Sequence, residues 1–255
     1  MFQSAIEVAT QRFRDSHQKA VALMSHYVSP VAHMAALMEA VKGHDQVKYE
    51  EYLRRHEHYV MTLAVHHFRI GPVLLNYAVD NFAIHASELL RLIFREKPET
   101  LKADLSEMKL PALEVLDTDN VREVIVRKRI AQIDGRGFRG MLDFLRKLGV
   151  ADVLTAEEES DINRVIADRN LMTHQGGVID EEYLRMSGRV DVKVGDRLSV
   201  DDPTITWGFD VIEYTAAKLA HAIAAKFNLD VRRNGNHRPV AIPAAPARPV
   251  AAPGK

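Results

Sequence analysis

Apolar side chains at helical spacing, interrupted by prolines and glycines, run through most of this 255-residue chain. The clearest row falls at positions i, i+3, i+4, i+7 and i+10, and consists of Phe138, Met141, Leu142, Leu145 and Leu148. Such a row fills one face of an amphipathic helix. Because similar rows recur along the chain, the sequence predicts an all-α protein.

Prolines, glycines and capping residues divide this pattern into separate helices. Pro30 separates two helices within residues 2–42. A third helix is predicted over 46–69. It ends before Gly71-Pro72, which opens a fourth helix that runs to Arg95. Pro98 is predicted to start another helix. Further helices are predicted over 120–133 and 138–148, from about Ala156, and over 209–227. Alternation around Gly195-Asp196 predicts a small β-hairpin insertion over 189–200. The Pro/Ala-rich tail is predicted to be disordered.

The composition excludes several classes of protein. The chain has no cysteine, which excludes a disulfide framework, Cys-ligated zinc and a Cys nucleophile. Its formal net charge of -1 gives no global attraction to nucleic acid, so a binding surface for nucleic acid must be a local patch. The charged N-terminus lacks the apolar run of a signal peptide, and the most apolar stretch, Ile70 to Ala83, is shorter than a membrane span. We therefore expect a cytoplasmic protein that contacts no membrane.

One segment, Arg169-Asn170-Leu171-Met172-Thr173-His174, combines residues suited to acting on a phosphodiester. Its helix starts at a Thr155/Glu158 capping box and stops at Gly176-Gly177, which supply a left-handed cap. A guanidinium that neutralises phosphate, beside an imidazole that moves protons, is sufficient for metal-free RNA cleavage. The alternative is a helix end whose Arg and His only face solvent.

The chemistry assigns a role to each of the three candidate catalytic residues. His174 would take the proton of the RNA 2′-hydroxyl or protonate the leaving 5′-oxygen. Arg169 would stabilise the negative charge of the phosphorane, and Asn170 would orient His174 or donate to a non-bridging oxygen.

The spacing of these residues carries a further prediction, although the bare pattern Arg-x4-His occurs three times in the chain. Residues five apart point roughly 140° apart on an ideal helix, so Arg169 and His174 do not share a face. Asn170 and His174 are four apart and do share one. A second copy packed across a two-fold axis could bring each Arg to the other chain's His, which predicts a homodimer.

Positive charge is concentrated in residues 121–147, where eight basic and three acidic side chains leave an excess of five. If the two helices there present their basic residues together, they form a track for the RNA backbone. The alternative is a solvated basic face. The candidate RNA-binding residues are Arg122, Arg127, Lys128, Arg129, Arg136 and Arg139.

No metal or cofactor is expected from the sequence. The histidines at 56, 58, 66 and 67 lack the i, i+4 spacing that puts two ligands on one helix face, and no His-Glu-x-x-His motif occurs.

The stretch from Arg169 to Leu184, RNLMTHQGGVIDEEYL, resembles the signature of the HEPN superfamily, in which Arg, a polar residue, three further residues and His follow one another. It is similar to the bacterial RiboL-PSP-HEPN-like branch, where a Gly, a Val, an Asp and a Tyr-Leu pair continue the motif. This chain has the matching residues Gly177, Val178, Asp180, Tyr183 and Leu184. The segment from Glu88 to Lys102 is similar to the first long helix of that branch, and the resemblance covers about residues 72–230.

This resemblance implies an up-and-down helical bundle at residues 71–230, preceded by an N-terminal helical extension at 1–70 and followed by the tail at 231–255. It implies a homodimer formed through the motif helix and a metal-independent endoribonuclease in a defence or toxin-like role. RNA would be the substrate, and an antitoxin or regulatory protein a further partner. Other members are non-catalytic modules that bind RNA or proteins, which is the alternative function.

The chain departs from the family pattern in the first bundle helix. Related sequences often carry an acidic residue followed by an aromatic one where this chain has Ala83 and His85. Nearby polar residues form a stripe that faces either the site or solvent: Asp80, Asn81, His85 and Glu88.

Overall fold

The computed structural model describes residues 5–23, 46–101, 119–150, 153–198, 202–229 and 242–248, with their side chains except those of 46, 48, 49, 51–69 and 119–122. These residues are predominantly helical and include no regular strand, in agreement with an all-α protein. A short 3-10 turn, Pro98–Leu101, follows the second helix. The helices are α1 (5–23), α2 (Gln46–Glu96), α3 (Asp119–Asp134), α4 (Gly137–Lys147), α5 (Ala156–His174), α6 (Glu181–Ser187) and α7 (Asp202–Phe227).

The first helix, α1, buries one stripe of its surface. Ile6, Ala9, Phe13, His17 and Ala20 are buried, while the residues between them are exposed or half-buried, apart from the buried Thr10. Their spacing of three or four residues follows the helical period, which explains why this segment is helical in a folded chain. Pro30 and the second helix predicted within 2–42 lie outside the described residues.

The break predicted at Gly71-Pro72 is wrong, because α2 continues through it without interruption. Pro72 has no N–H to donate, but the helix continues on either side of it. Gly71 allows close packing and does not form a turn. A Cβ atom at this position would lie 2.2 Å from Cδ1 of the buried Ile205. The predicted boundary between residues 70 and 71 therefore lies inside a helix.

Helix α5 begins and ends as its capping residues predict. The Thr155 N–H donates to Glu158 Oε2 at 2.7 Å, and the Glu158 N–H donates to Thr155 Oγ1 at 3.2 Å, so both halves of the capping box are present. After His174, Gly176 and Gly177 have φ angles of 59° and 80°, and the Gly177 N–H donates to the Leu171 carbonyl at 3.1 Å. The motif therefore occupies the last turns of a helix with defined ends.

The hairpin predicted over 189–200 is not found among the described residues up to 198. The chain around Gly195 turns back onto the segment that leaves α5, where Val178 and Arg197 form an isolated antiparallel bridge. The Ile179 N–H donates to the Asp196 carbonyl at 2.9 Å, and the Leu198 N–H donates to the Gly177 carbonyl at 2.8 Å. The segment with the alternating pattern does form backbone hydrogen bonds of the β type, but with the segment that follows α5, earlier in the chain.

The sequence-based prediction missed one helix and misplaced the start of another. Helix α6 was not predicted, although Asp180 caps it by accepting from the Tyr183 N–H at 2.7 Å and Gly188 ends it with a φ angle of 65°. Helix α7 begins at Asp202 instead of near Phe209, with Pro203 in its first turn.

The chain divides into two compact units, each built from non-contiguous segments. The first consists of Met1–Arg14, Asp80–Asn163 and Val211–Ala245, and the second of Asp15–Val79, Arg164–Asp210 and Pro246–Lys255. Phe94 packs against Phe144 in the first unit, with ring centroids 5.6 Å apart. In the second, Gly208 lets Leu75 and Val165 approach the backbone of α7 closely. The described part of the tail, 242–248, has no regular secondary structure.

None of the described helices has the length and apolar character needed to cross a bilayer.

Candidate functional site

The candidate catalytic residues lie at the C-terminal end of α5, in the second unit. His174 is exposed, whereas Arg169 and Asn170 are half-buried. Arg169 Nη1 donates to Asn170 Oδ1 at 3.0 Å, and this hydrogen bond turns the carbonyl of the Asn170 amide toward the guanidinium. The hydroxyl of Thr173 donates to Asn76 Oδ1 at 3.1 Å, which ties the end of α5 to α2.

A cleft of about 210 Å³ opens beside His174. Asn170 and His174 both line it, as their four-residue spacing predicts, whereas Arg169 is not among its lining residues. Arg169 and His174 of one chain therefore do not line the same cleft, as expected from the angular offset of residues five apart on a helix. The lining residues are Ala167, Asn170, Leu171, His174, Gln175, Asp180, Glu182, Tyr183 and Met186.

Two carboxylates stand at this cleft, and both are stabilised in the ionised form. The Tyr183 N–H and the Gln175 amide, which donates to Asp180 Oδ2 at 2.6 Å, hold the pKa of Asp180 below its usual range. The hydrogen-bonded ion pair with Arg185 lowers the pKa of Glu182 in the same way. The lining thus carries two negative charges at neutral pH and includes no Lys or Arg.

Sequence reasoning missed the residue that braces this end of the helix, Asp168. Asp168 is 2% exposed, and its Oδ1 accepts a hydrogen bond of 2.7 Å from the hydroxyl of Tyr183 on α6. Burial raises the pKa of Asp168 and also raises the pKa of Tyr183 to about 12. The signal was available, because Asp168 falls on the buried row of Ile162, Val165 and Leu171, where a charged residue needs partners.

Arginines from the same unit complete the surroundings of Asp168. Positive charge from Arg164 and Arg189 offsets part of the effect of burial on the Asp168 carboxyl. Arg189 pairs with Asp191 and lowers its pKa to about 2. The guanidinium of Arg164 lies over the Trp207 ring, 5.0 Å from its centre. The Asp168–Tyr183 hydrogen bond joins α5 to α6, and Tyr183 lines the cleft.

Replacing Asp168 by alanine is expected to lower the free energy of unfolding by about 2 kcal/mol, because the buried Tyr183 hydroxyl loses its acceptor. Urea unfolding monitored by circular dichroism measures the change. The double variant Asp168→Ala/Tyr183→Phe should be less destabilised than the sum of the two single variants, since it removes both partners. Additive effects would mean that the two side chains are not coupled.

Comparison with known proteins gives no match, either to a protein-family model, to a curated protein or to a solved structure. The likeness of residues 72–230 to the HEPN superfamily therefore stays a prediction. The proposed function therefore rests on the motif and on the geometry of the described residues.

The candidate RNA-binding residues lie on α3 and α4 in the first unit, apart from Arg122, whose side chain is outside the described residues. Arg127, Lys128, Arg136 and Arg139 are exposed. Arg127 Nε forms an ion pair with Glu123 at 3.1 Å, so part of its charge is neutralised. Arg129 is half-buried and lies over the Phe144 ring, 5.3 Å from its centre, where it serves packing.

The polar stripe predicted on the first bundle helix does not form one face. His85 is 1% exposed and stacks on Phe13, with ring centroids 4.8 Å apart, while Asp80 is exposed. A buried histidine on an apolar helix is thus a core residue of the first unit. The side chains of the histidines at 56, 58, 66 and 67 lie outside the described residues. The side chains that the structure describes include no group of three or more that could hold a metal ion.

Proposed function

We propose that this protein is a metal-independent endoribonuclease of HEPN type, which cleaves RNA through its 2′-hydroxyl at a composite site of a homodimer. The observation that carries the proposal is the exposed imidazole of His174 at a capped helix end, lining a cleft with Asn170, whose amide is held by Arg169. The resemblance of the motif supplies the family, a defence or toxin-like role, and an antitoxin or regulatory partner, while the composition supplies the cytoplasmic location.

The reaction uses the RNA's own nucleophile. His174 removes the 2′-hydroxyl proton, the 2′-oxygen attacks the adjacent phosphorus, and the bond to the 5′-oxygen breaks as that oxygen gains a proton. The products carry a 2′,3′-cyclic phosphate and a 5′-hydroxyl. A guanidinium stabilises the charge of the phosphorane, since Arg can donate two hydrogen bonds to its oxygens.

The guanidinium that acts with a given His174 comes from the second copy. Arg169 does not line the cleft beside His174, and residues five apart point roughly 140° apart on an ideal helix, so one chain is not expected to direct both groups at one phosphate. A two-fold axis near the end of α5 makes two equivalent sites, each with an imidazole from one copy and a guanidinium from the other. The exposed Lys128, Arg136 and Arg139 of the first unit are the candidate contacts of that unit with the RNA backbone.

A non-catalytic module that binds RNA or a protein is the second candidate, and the charge of the cleft favours it. The ionised Asp180 and Glu182 stand at the same cleft as His174, where they repel a phosphate. Under this alternative, the motif contacts a partner without breaking a bond.

The test is cleavage of mixed RNA by the purified protein in EDTA, followed by analysis of the new ends. We expect cleavage without a divalent metal, with cyclic phosphate and 5′-hydroxyl ends. Arg169→Ala should lose most of the activity, because removing one preorganised charge-stabilising donor costs about 100-fold or more. Arg95→Ala, which removes an exposed arginine of α2, is the matched control and should keep full activity. Activity that depends on a metal, or that survives in Arg169→Ala, would refute the proposal.

A further inference from the structure

The cleft beside His174 has the chemistry of a nucleobase pocket and lacks that of a phosphate site. Its floor is apolar, formed by Ala167, Leu171 and Met186. Its polar groups are carboxylates, amides and the imidazole, without a single Lys or Arg among the lining residues. Two carboxylates in the ionised form repel phosphate oxygens but accept hydrogen bonds from neutral N–H groups.

The carboxylates have capacity left for a ligand. Asp180 accepts the Tyr183 N–H on Oδ1 and the Gln175 amide on Oδ2, which leaves a lone pair on each oxygen. Glu182 is paired with the exposed Arg185, and an exposed ion pair of this kind contributes little, so a ligand can displace it. A planar group with two adjacent N–H donors fits a carboxylate best, as in bidentate arginine pairs.

The amide of Asn170 supplies the complementary donor. Its carbonyl accepts from Arg169, so its NH₂ group points away from the guanidinium. Asn170 lines the cleft together with the carboxylates, which gives one wall with a donor and another with acceptors. A ligand that uses both the Asn170 amide and a carboxylate presents one acceptor and two donors.

We propose that this cleft binds a single unstacked guanine next to the scissile phosphate and makes the enzyme guanine-selective. Guanine presents O6 as acceptor beside the N1–H and N2–H donors, so Asn170 donates to O6 while the Glu182 carboxylate accepts from N1 and N2. Uracil and adenine each place an acceptor opposite the carboxylate. The proposal rests on the endoribonuclease function for the position of the phosphate, but base binding itself requires no cleavage.

The experiment measures binding of uncleavable 2′-O-methyl oligonucleotides to the full chain by fluorescence anisotropy. One oligonucleotide is all uridine, and the others carry one guanosine, adenosine or cytidine in the same place. We expect the guanosine form to bind at least about tenfold more tightly than the uridine form, as for a good bidentate base contact. Equal affinities for the four oligonucleotides, or no binding of any, would overturn the proposal.

Neighbouring glutamates of α6 provide a matched pair of variants. Glu182 lines the cleft and Glu181 does not, although both are exposed, so Glu182→Gln and Glu181→Gln remove the same charge from adjacent positions. Glu182→Gln should abolish the preference for guanosine, whereas Glu181→Gln should retain it. An equal loss in both variants would mean that net charge, and not the cleft, sets the preference, and the proposal would fail.

The outcome separates this inference from the proposed function. RNA cleavage without base preference in binding leaves the endoribonuclease standing and removes the pocket. A guanosine preference in binding without cleavage leaves the pocket standing and removes the endoribonuclease.

Discussion

Replacing His174 by alanine is expected to lower the rate of RNA cleavage about 10²–10⁴-fold, which is the contribution of a positioned general acid or base. The imidazole is exposed at the end of α5, so its removal should change the free energy of unfolding by less than about 0.5 kcal/mol. Single-turnover cleavage of a labelled RNA measures the rate. His221→Ala, which removes an exposed histidine from α7, is the control and should cleave at the wild-type rate.

Mixing two inactive variants tests whether the site is shared between copies. In a dimer of one His174→Ala chain and one Arg169→Ala chain, one of the two composite sites keeps both groups. Random exchange makes half of the dimers mixed, so an equal mixture should regain about a quarter of the wild-type activity under two-fold symmetry. No recovery after exchange, with each variant folded, would contradict a site built from two copies.

Lowering the pH from 7 to 5 is expected to destabilise the protein by about 2 kcal/mol for each of two buried histidines. Burial lowers the pKa of both His17 and His85 from 6.5 to about 4. Between these values the unfolded chain binds a proton that the folded chain does not, so stability falls as the pH drops through this window. The imidazoles pack against Phe209 and Phe13, respectively, where a charged form would be costly.

Urea unfolding at pH 7 and pH 5 measures this loss. His85→Leu should flatten the dependence by about 2 kcal/mol, because one of the two titrating groups is gone. Exposed His221 provides the control, and His221→Gln should leave the dependence unchanged. Asp168 acts in the opposite direction, since its raised pKa favours the folded chain in acid, and it is present in all these variants. The same pH dependence in His85→Leu as in the wild type would contradict the assignment.

Local signals in the sequence predicted several helices well. The Thr155/Glu158 capping box and the Gly176-Gly177 stop placed both ends of α5, and the apolar row from Phe138 placed α4. These signals act between residues a few positions apart, so they can be interpreted without knowledge of a distant partner. The same capping rules would have found α6, whose Asp180 and Gly188 are as clear as the ends of α5.

Predictions that depended on a distant partner went wrong. Gly71-Pro72 looks like a helix break, yet the glycine is needed for contact with Ile205, more than a hundred positions further along the chain. The alternating residues around Gly195 do pair, but with the segment after α5 and not with each other. His85 looked like part of a polar face and is buried against Phe13. In each case the sequence contained the local pattern, but it did not show which distant residue would pack or pair with it.

For the candidate site, the sequence by itself determined which residues share a helix end and which of them face the same way. Helical geometry requires Asn170 and His174 to share a face and directs Arg169 and His174 to different faces, whatever packs around them. Only the tertiary structure decided which groups surround this helix end. Tyr183 donates a hydrogen bond to the buried Asp168, and two ionised carboxylates line the cleft. The reason is that a helix fixes directions within itself, whereas the charge and shape of a cleft come from segments that folding brings together.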